Sequence, residues 1–549
     1  VDVDSYDNTS KTRRRFGETT FGNCVIFTVD GQVTLRLMYE ALRQAKTSIH
    51  IANYDFDPAL SLVRGDPHSF RISDLVVSSF KPESLITNNN SYENPNNSYN
   101  LQNLLIEKAK QKVDIKIIVW EPRLIIRKLP GLKKRGLEER KKKLKTISQL
   151  VKRYGLEDYI SIRLDSNAPT LTSGFHEKIT IIDNQIGFCG GQDFSQAKWD
   201  TSDHNFDNML RDQGGEPWHD MHVMVKGPIV WDLIYHFNQR WVYSIWKDIK
   251  QVKKIVRAET IDSYLSSSPS PSPSSSLSIP SFTNYHNEGN VEITALRTWK
   301  QLDEKNSGHE GGNTILAWYN IMFRKAKHSI YIEDQFLFQD KEITKLLFNR
   351  LREEKDLKVI TVGPMEPNLP GFIFSVISKE SINDINNNLA ALRKAGKNRV
   401  RTYSLISQHN TINKNRKQIY VHSKIMIVDD KWITIGSANT DRDGFSDSTE
   451  FDLGIISTSL AQRLRSKLWA EHLRTDTEST SDSPFSSSSV DLNNFDDGFK
   501  AWEKLADYNG QRALRGESIH GHVYYYNFRE MNFPPPYPGA KGGNKFRLF

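Results

Sequence analysis

The chain is short of cysteine. Cys24 and Cys189 are the only two in 549 residues, which excludes a disulfide framework and leaves no zinc-type spacing. Cys189 lies in the apolar run FCGG and reads as a small core side chain. Long apolar runs are also missing, so no segment reads as a bilayer-spanning helix. The sequence opens on Val1, which leaves the native start, and any removed leader, open. The sequons at Asn89 and Asn96 carry meaning only in a secreted chain. What remains is a composition ordinary for a globular protein, and a length that calls for two or more domains.

Net charge is +8. Much of the excess lies between Arg123 and Lys145, in RLIIRKLPGLKKRGLEERKKKLK. A solvated helix and loop is one reading. Attraction to an anionic membrane is the other, at about 1 kcal/mol for each nearby Lys or Arg. Nucleic acid would be attracted equally, so the run does not separate these partners.

One short pattern occurs twice. FHEKITIID holds His176, Lys178 and Asp183; VHSKIMIVD holds His422, Lys424 and Asp429. Both fit H-x-K-x4-D. In both, a small-residue turn begins fourteen residues after the His: Gly190-Gly191-Gln192-Asp193 and Gly436-Ser437-Ala438-Asn439. On an extended chain, residues i and i+2 share a face. His and Lys therefore point one way, while Ile179, Ile181, Ile425 and Ile427 point the other. Two such segments brought together surround one small anionic group with two imidazoles and two ammonium groups, a set suited to phosphodiester chemistry without a metal.

The repeat extends beyond the motif. AKTSIHIANYDF (45–56) matches AKHSIYIEDQFL (326–337), each behind an amphipathic helical stretch. LQNLLIEKAKQKVDIKIIVWEP matches ITKLLFNRLREEKDLKVITVGP, a helix and then a β-branched strand that stops at Pro122 and Pro364. This order predicts two similar α/β domains, each with a mixed central sheet flanked by helices, related by a pseudo-two-fold axis and sharing one active site. The expected boundaries are an N-terminal extension (1–25), a first half (26–255), a Ser/Pro-rich linker (256–290), a second half (291–474), and a polar loop with an aromatic-rich tail packed on the body (475–549). The linker reading rests on SSSPSPSPSSSLSIPS, which cannot bury enough apolar area to offset its ordering entropy.

Phosphodiester cleavage requires a nucleophile, an acid for the leaving oxygen and positive groups for developing charge. His176 and His422 can supply the first two, and Lys178 and Lys424 the third. Asn439 can add an amide donor. Asp193, in the equivalent place, would repel phosphate and is expected on backbone or Lys. A catalytic imidazole also needs an acceptor at Nδ1. The candidates on the strand after each turn are Asp220 and Glu450, read as partners of His176 and His422 respectively; rivals are Asp200, Asp203 and Asp447. His219 and His222 are expected to be structural. Asp183 and Asp429 are expected to hold their turns through backbone N–H groups, with Gly190, Gly191, Gly436 and Ser437 forming the turns.

At these residues the chain resembles the phospholipase D superfamily, whose signature is the duplicated motif. IYVHSKIMIVDD, GSANTDRDGFSDSTE, IYIEDQF and PWHDMHVMVKGPIVWDLIYHFNQRW resemble the eukaryotic-type catalytic core. TDRDGF departs from the usual Asn-Asp-Arg-Ser-like run, and no lipid-binding module fits before residue 25. The resemblance implies hydrolysis of phosphatidylcholine to phosphatidate through a phosphohistidine, with His176 as nucleophile, and transfer to alcohols. It implies no cofactor for the chemistry, with calcium or phosphoinositide stimulation left open. The implied partners are a phospholipid membrane surface and water or small alcohols as acceptors, with no nucleic acid. A monomer, cytoplasmic and peripherally membrane-associated, is expected. The alternatives are a phosphatidyl transferase and a phosphodiesterase or nuclease on the same fold. No choline-binding cage is assigned; Trp199 and Phe336 read as core or rim.

Overall fold

The computed structural model describes residues 16–65, 75–78, 99–121, 134–166, 173–211, 215–246, 290–299, 312–365, 372–409, 415–475, 483–485 and 490–526. The Ser/Pro run at 266–281, and most of the polar runs at 87–100 and 475–489, lie outside them, as does the chain after Tyr526.

The first half contains β1 (Thr19–Val29), β2 (Ser48–Asn53), β3 (Val76–Val77), β4 (Asp114–Trp120), β5 (Ile160–Asp165), β6 (Ile179–Ile182), β7 (Ile186–Gly190), β8 (Trp218–His219) and β9 (Met221–Lys226). Its helices are α1 (Asp30–Arg43), α2 (Leu101–Lys110), α3 (Lys134–Arg153) and α4 (Val230–Trp246). The second half contains β10 (Val291–Thr298), β11 (Ser329–Glu333), β12 (Lys358–Val362), β13 (Val400–Gln408), β14 (Arg416–Val421), β15 (Ile425–Val428), β16 (Trp432–Gly436), β17 (Glu450–Ile456) and β18 (Val523–Tyr525). Its helices are α5 (Thr314–Lys325), α6 (Lys341–Glu353), α7 (Phe372–Gly396), α8 (Thr458–Leu473) and α9 (Phe495–Leu514).

The two halves repeat one strand order. The first runs β1-β9-β7-β6-β2-β4-β5. The second runs β10-β17-β16-β15-β11-β12-β13. In each, the last three strands are parallel and the others antiparallel. The sheets are mixed because α2 and α3, like α6 and α7, cross over between parallel neighbours, whereas the motif strand turns back through a tight hairpin. Asp183 and Asn184, like Asp429 and Asp430, have positive φ, as the two central residues of a type I′ turn require, and each turn is closed by the N–H of Gln185 or Lys431.

Alternation decides what each strand buries. Ile425 and Ile427 enter an apolar cluster shared by both halves, with Ile179 and Ile181. Met426 and Val428 enter a cluster under the second half's helices. With both faces covered, the strand reads as an unbroken apolar run. The halves also pair directly, through β1 with β10 and β8 with β14. The start of the fold therefore precedes the expected boundary at residue 26. Phe16 is in the shared core, and Thr19–Asn23 pair with β10. That pairing depends on a partner roughly 270 residues away, so local pattern gave no sign of it.

Asp183 and Asp429 do bind backbone N–H groups, but not those of their own turns. Asp183 accepts from Lys46, Thr47 and Ser48 at 2.7–3.0 Å. Asp429 accepts from Lys327, His328 and Ser329 at 2.8–2.9 Å. Each carboxylate thus fastens the entry to the neighbouring strand, β2 or β11. Asp429→Ala leaves three donors without this acceptor and should cost about 2 kcal/mol, read as a lower urea midpoint at unchanged slope; an unchanged midpoint would contradict the role.

Candidate active site

Parallel strands carry ligand sites beyond their C-terminal ends, and the two motifs converge at such an edge. The ring centroids of His176 and His422 are 6.5 Å apart. Each His and Lys lies just ahead of the motif strand, in extended chain. Lys178 Nζ donates to the His176 carbonyl at 2.6 Å, and Lys424 Nζ donates to that of His422. Each ammonium has three donors, so each keeps donors beyond its own motif carbonyl. Thr449 O accepts the His176 N–H at 2.8 Å, and His219 O accepts that of His422 at 2.8 Å. Each motif is therefore fastened to the opposite half.

The carboxylates are crossed relative to the expected pairing. His176 Nδ1 lies 3.1 Å from both Glu450 oxygens and from Ser437 O. His422 Nδ1 lies 2.7 Å from Asp220 Oδ2. Asp220 stands just before β9 and Glu450 opens the equivalent strand β17, but each serves the histidine of the other half. The rivals are engaged elsewhere: Asp200 with Arg211 and His204, Asp203 with Thr201, and Asp447 with Arg442. Asp441, from the departing TDRDGF run, is buried and accepts the Gly444 N–H at 2.6 Å.

The turn glycines make room for carboxylates. A Cβ on Gly191 would stand 2.1 Å from Asp220 Oδ1, and one on Gly436 2.0 Å from Asp452 Oδ1. Gly190 is held against Met221 and His222 in the same way. Asp452 Oδ1 in turn accepts the N–H groups of Ser437 and Ala438 at 2.8 and 3.0 Å. Asn439 is buried, and its Oδ1 has no hydrogen-bond partner among the described residues. Asp193 accepts the Asp55 N–H at 3.1 Å; it pairs with Lys198 and lies 3.9 Å from Lys178.

Lys198 is a third cation that motif reading missed, because it sits on a single 3-10 turn after the first motif. Four aromatics were also missed. Tyr54 stacks on Trp120 at 4.6 Å and meets the His176 ring at 5.0 Å. Trp218 stacks on Tyr420 at 4.7 Å and meets the His422 ring at 5.1 Å. The signal for Tyr54 was its place one residue past β2, where the matching position past β11 holds Gln335, which accepts from Lys424 at 3.4 Å. Trp199 and Phe336 are in the outer cores instead.

Electrostatics follow from burial among cations. His176 is held well below the usual imidazole range by burial, then by Lys178, Lys424, His422 and Lys198. His422 is lowered likewise, by burial, Lys424, Lys198 and Lys178. Both shifts favour the neutral ring in the free site. Burial lowers Lys424 to about 8 and lowers Lys178. Lys198 is raised, because Asp193, Asp55 and Asp220 outweigh its burial. Glu450 is pushed well up by burial, only partly offset by Lys178.

Beneath the site lies a second, fully buried polar cluster spanning the halves. His219 lies 3.0 Å from both Asp30 and Glu333. Glu333 also accepts from Ser423, Tyr331 and His472. His219 is thus held on both ring nitrogens; His222 is buried without a hydrogen bond among the described residues, and burial lowers it to about 3. Asp30, His204, His219 and Glu471 bring ligand atoms within 4.8 Å of one another. Asp30 Oδ2, His204 Nε2 and Glu471 Oε1 have no hydrogen-bond partner among the described residues. Two carboxylates and two imidazoles are a donor set able to hold a divalent cation. Protons can serve the same charge balance: despite burial, Asp30 and its neighbours raise His204 to about 10. No spacing rule joins residues so far apart in sequence. Among the described residues, no helix is long and apolar enough to cross a membrane.

Comparison with known proteins adds the lineage. A family profile described as "Phospholipase D" matches residues 84–345, and one described as "Cardiolipin synthase, PLD-like domain" matches 319–471. Phospholipase D zeta 2 of Arabidopsis thaliana is 24% identical, over 68% of this chain and 49% of its own. Phospholipase D alpha 3 of the same plant is 24% identical, over 89% of this chain and 68% of its own. The chain thus spans between about half and two thirds of the length of the curated relatives it matches. A solved phosphatidylserine synthase from Haemophilus influenzae aligns with a TM-score of 0.46 and 11% identity, covering 81% of this chain and 85% of that one. That likeness is loose, and the fold rests on the strand pairing above.

The crossed pairing has a direct readout. In spectra of 15N-labelled imidazoles, Asp220→Asn should lower the His422 pKa by about one unit or more and leave His176 in place. Glu450→Gln should act on His176. The opposite assignment would restore the uncrossed pairing.

Proposed function

The chain belongs to the phospholipase D superfamily, and from that membership we propose that it cleaves the head-group side of a glycerophospholipid phosphodiester, phosphatidylcholine among its substrates, to release phosphatidate. The observation that carries this reading is the single space between His176 and His422, bordered by the buried ammonium groups of Lys178 and Lys424 and the partly exposed one of Lys198.

The two histidines have unlike partners, and this supports unlike roles. His176 faces Glu450, whose burial disfavours a full charge; its imidazole stays neutral, with Nε2 free to attack phosphorus. His422 faces Asp220 at 2.7 Å, a partner able to stabilise an imidazolium. An anionic phosphate entering between the rings raises an imidazole pKa, so the acid forms on binding. In the first step His176 Nε2 bonds to phosphorus, and the head-group oxygen leaves with the proton of His422 Nε2. In the second, His422 takes a proton from water, whose oxygen displaces His176 and releases phosphatidate. An alcohol in place of water gives a phosphatidyl alcohol. The lysines stabilise the non-bridging oxygens in both steps. The stacks Tyr54–Trp120 and Trp218–Tyr420 offer aromatic faces to a quaternary ammonium head group.

Three outcomes test this. With choline-labelled phosphatidylcholine and a primary alcohol, head-group release should equal phosphatidate plus phosphatidyl alcohol. His422→Asn, given a nitrophenyl phosphodiester that needs no acid, should accumulate an acid-labile phosphate on His176, while His176→Asn should accumulate none. Rapid quench and mass spectrometry distinguish these; an adduct on His422 would reverse the roles. The third outcome is a pH dependence. Because Lys424 is lowered to about 8, its ammonium is lost as pH rises through that value. The kcat/KM for a monomeric substrate should therefore fall on the alkaline side near pH 8, and a profile flat to pH 10 would exclude Lys424 from phosphate binding.

A further inference from the structure

The edge that holds the site also holds a feature its chemistry does not use. Strands β2, β4 and β5 and strands β11, β12 and β13 all deliver their C-terminal ends here. Tyr54 follows β2, Trp120 ends β4 and Gln335 follows β11. The segment Thr201–Arg211 lies across this edge. It departs beside Lys198, and the chain returns to the site at Trp218. Asp200 closes its base, accepting the Trp218 N–H at 2.8 Å and Arg211 Nη2 at 2.7 Å. On one flank Arg64 donates to Leu210 O at 2.9 Å. On the other, Phe206 meets the His409 ring at 5.2 Å, and Lys417 Nζ stands 4.4 Å from its centroid.

The segment is fastened to both halves, but its apex is not covered. Met209 is 93% exposed and Leu210 41%. The other exposed large apolar side chains among the described residues reach 57% at most. A second feature faces the same edge. As the crossover between parallel β4 and β5, α3 runs antiparallel to them, so its first half lies toward the site. Lys134–Lys145 holds seven basic residues against Glu138 and Glu139. Leu144, Ile147 and Val151 turn inward, leaving Lys142 and Lys145 exposed.

We propose that the Met209–Leu210 apex inserts into the interface of an anionic phospholipid bilayer, with the exposed Lys142 and Lys145 of α3 over the head groups, so that the site meets its substrate at the membrane surface. This rests on the phospholipase reading above. Area favours a bilayer over a protein partner. Stable protein interfaces bury roughly 800 Å² on each side, far more than two side chains supply. Interfacial insertion needs only side-chain depth, and it combines apolar burial with attraction to anionic lipid.

The test is co-sedimentation of the whole chain with vesicles of phosphatidylcholine alone and of an equimolar phosphatidylcholine–phosphatidylserine mixture. Met209 is free of packing, so Met209→Asp should fold normally and should weaken binding to both vesicles about tenfold. Lys142→Glu with Lys145→Glu should weaken binding to the mixed vesicles tenfold or more and leave binding to phosphatidylcholine alone unchanged. Both variants should cleave a monomeric short-chain phosphatidylcholine at the parent rate. If the parent chain does not cleave that lipid, the phospholipase reading falls, and the vesicle affinities still decide the docking surface. Vesicle binding unaffected by Met209→Asp overturns the proposal. So does loss of a self-associated form in that variant, by light scattering, with vesicle binding intact.

Discussion

Everything at the catalytic edge depends on one constraint: each imidazole takes its Nδ1 partner from the other half. His176 has Glu450 and His422 has Asp220. An imidazole buried among three ammonium groups has no charged state without a carboxylate beside it. Among the described residues, neither half places such a carboxylate on Nδ1 of its own histidine. The backbone repeats the exchange, since each motif's His N–H is accepted by a carbonyl of the opposite half. Docking of the halves and completion of the site are therefore one event, and the buried charges gain compensation only when both have occurred.

The cluster beneath the site extends the same logic. Ser423, the middle residue of the second motif, donates to Glu333 at 2.6 Å. Glu177, the middle residue of the first, ion-pairs with Arg240, which also holds Asp165 at 2.6 Å. In both motifs the side chain between His and Lys faces inward and is fixed by a buried charge. Taking such groups out of water is costly unless each is paired. Once paired, they leave the His and Lys little rotational freedom, which is what the proposed attack on phosphorus requires.

Much of this was legible in the sequence because duplication supplied a second reading of each feature. The H-x-K pairs and the turn fourteen residues on appear twice at matched offsets, and a carboxylate follows each turn ahead of an alternating strand, Asp220 in the first half and Glu450 in the second. The crossing was not legible, for a physical reason. Equivalent strands in equivalent halves present the same carboxylate, so offset alone cannot say whether it reaches its own histidine or its neighbour's. Lys198 escaped notice because the second half has Gly444 at the matching position. Asp183 and Asp429 were recognised as acceptors of backbone N–H groups, but their donors lie on strands fixed by sheet order. Asp30, His204, His219 and Glu471 come from four separate elements, and only tertiary packing brings them together.

The direct pairing of β1 with β10 and of β8 with β14 has an ancestral consequence. What completes the site is a surface each half offers to the other, not the peptide that connects them. Two identical half-length chains, docked about the same axis, would each lend the other a carboxylate and form a symmetric version of this centre. A fused duplicate inherits that arrangement with one freedom the symmetric pair lacks: its two copies can diverge. Asp193 opposite Asn439, and Asp220 opposite Glu450, are that divergence, by which two equal histidines can come to hold unequal tasks.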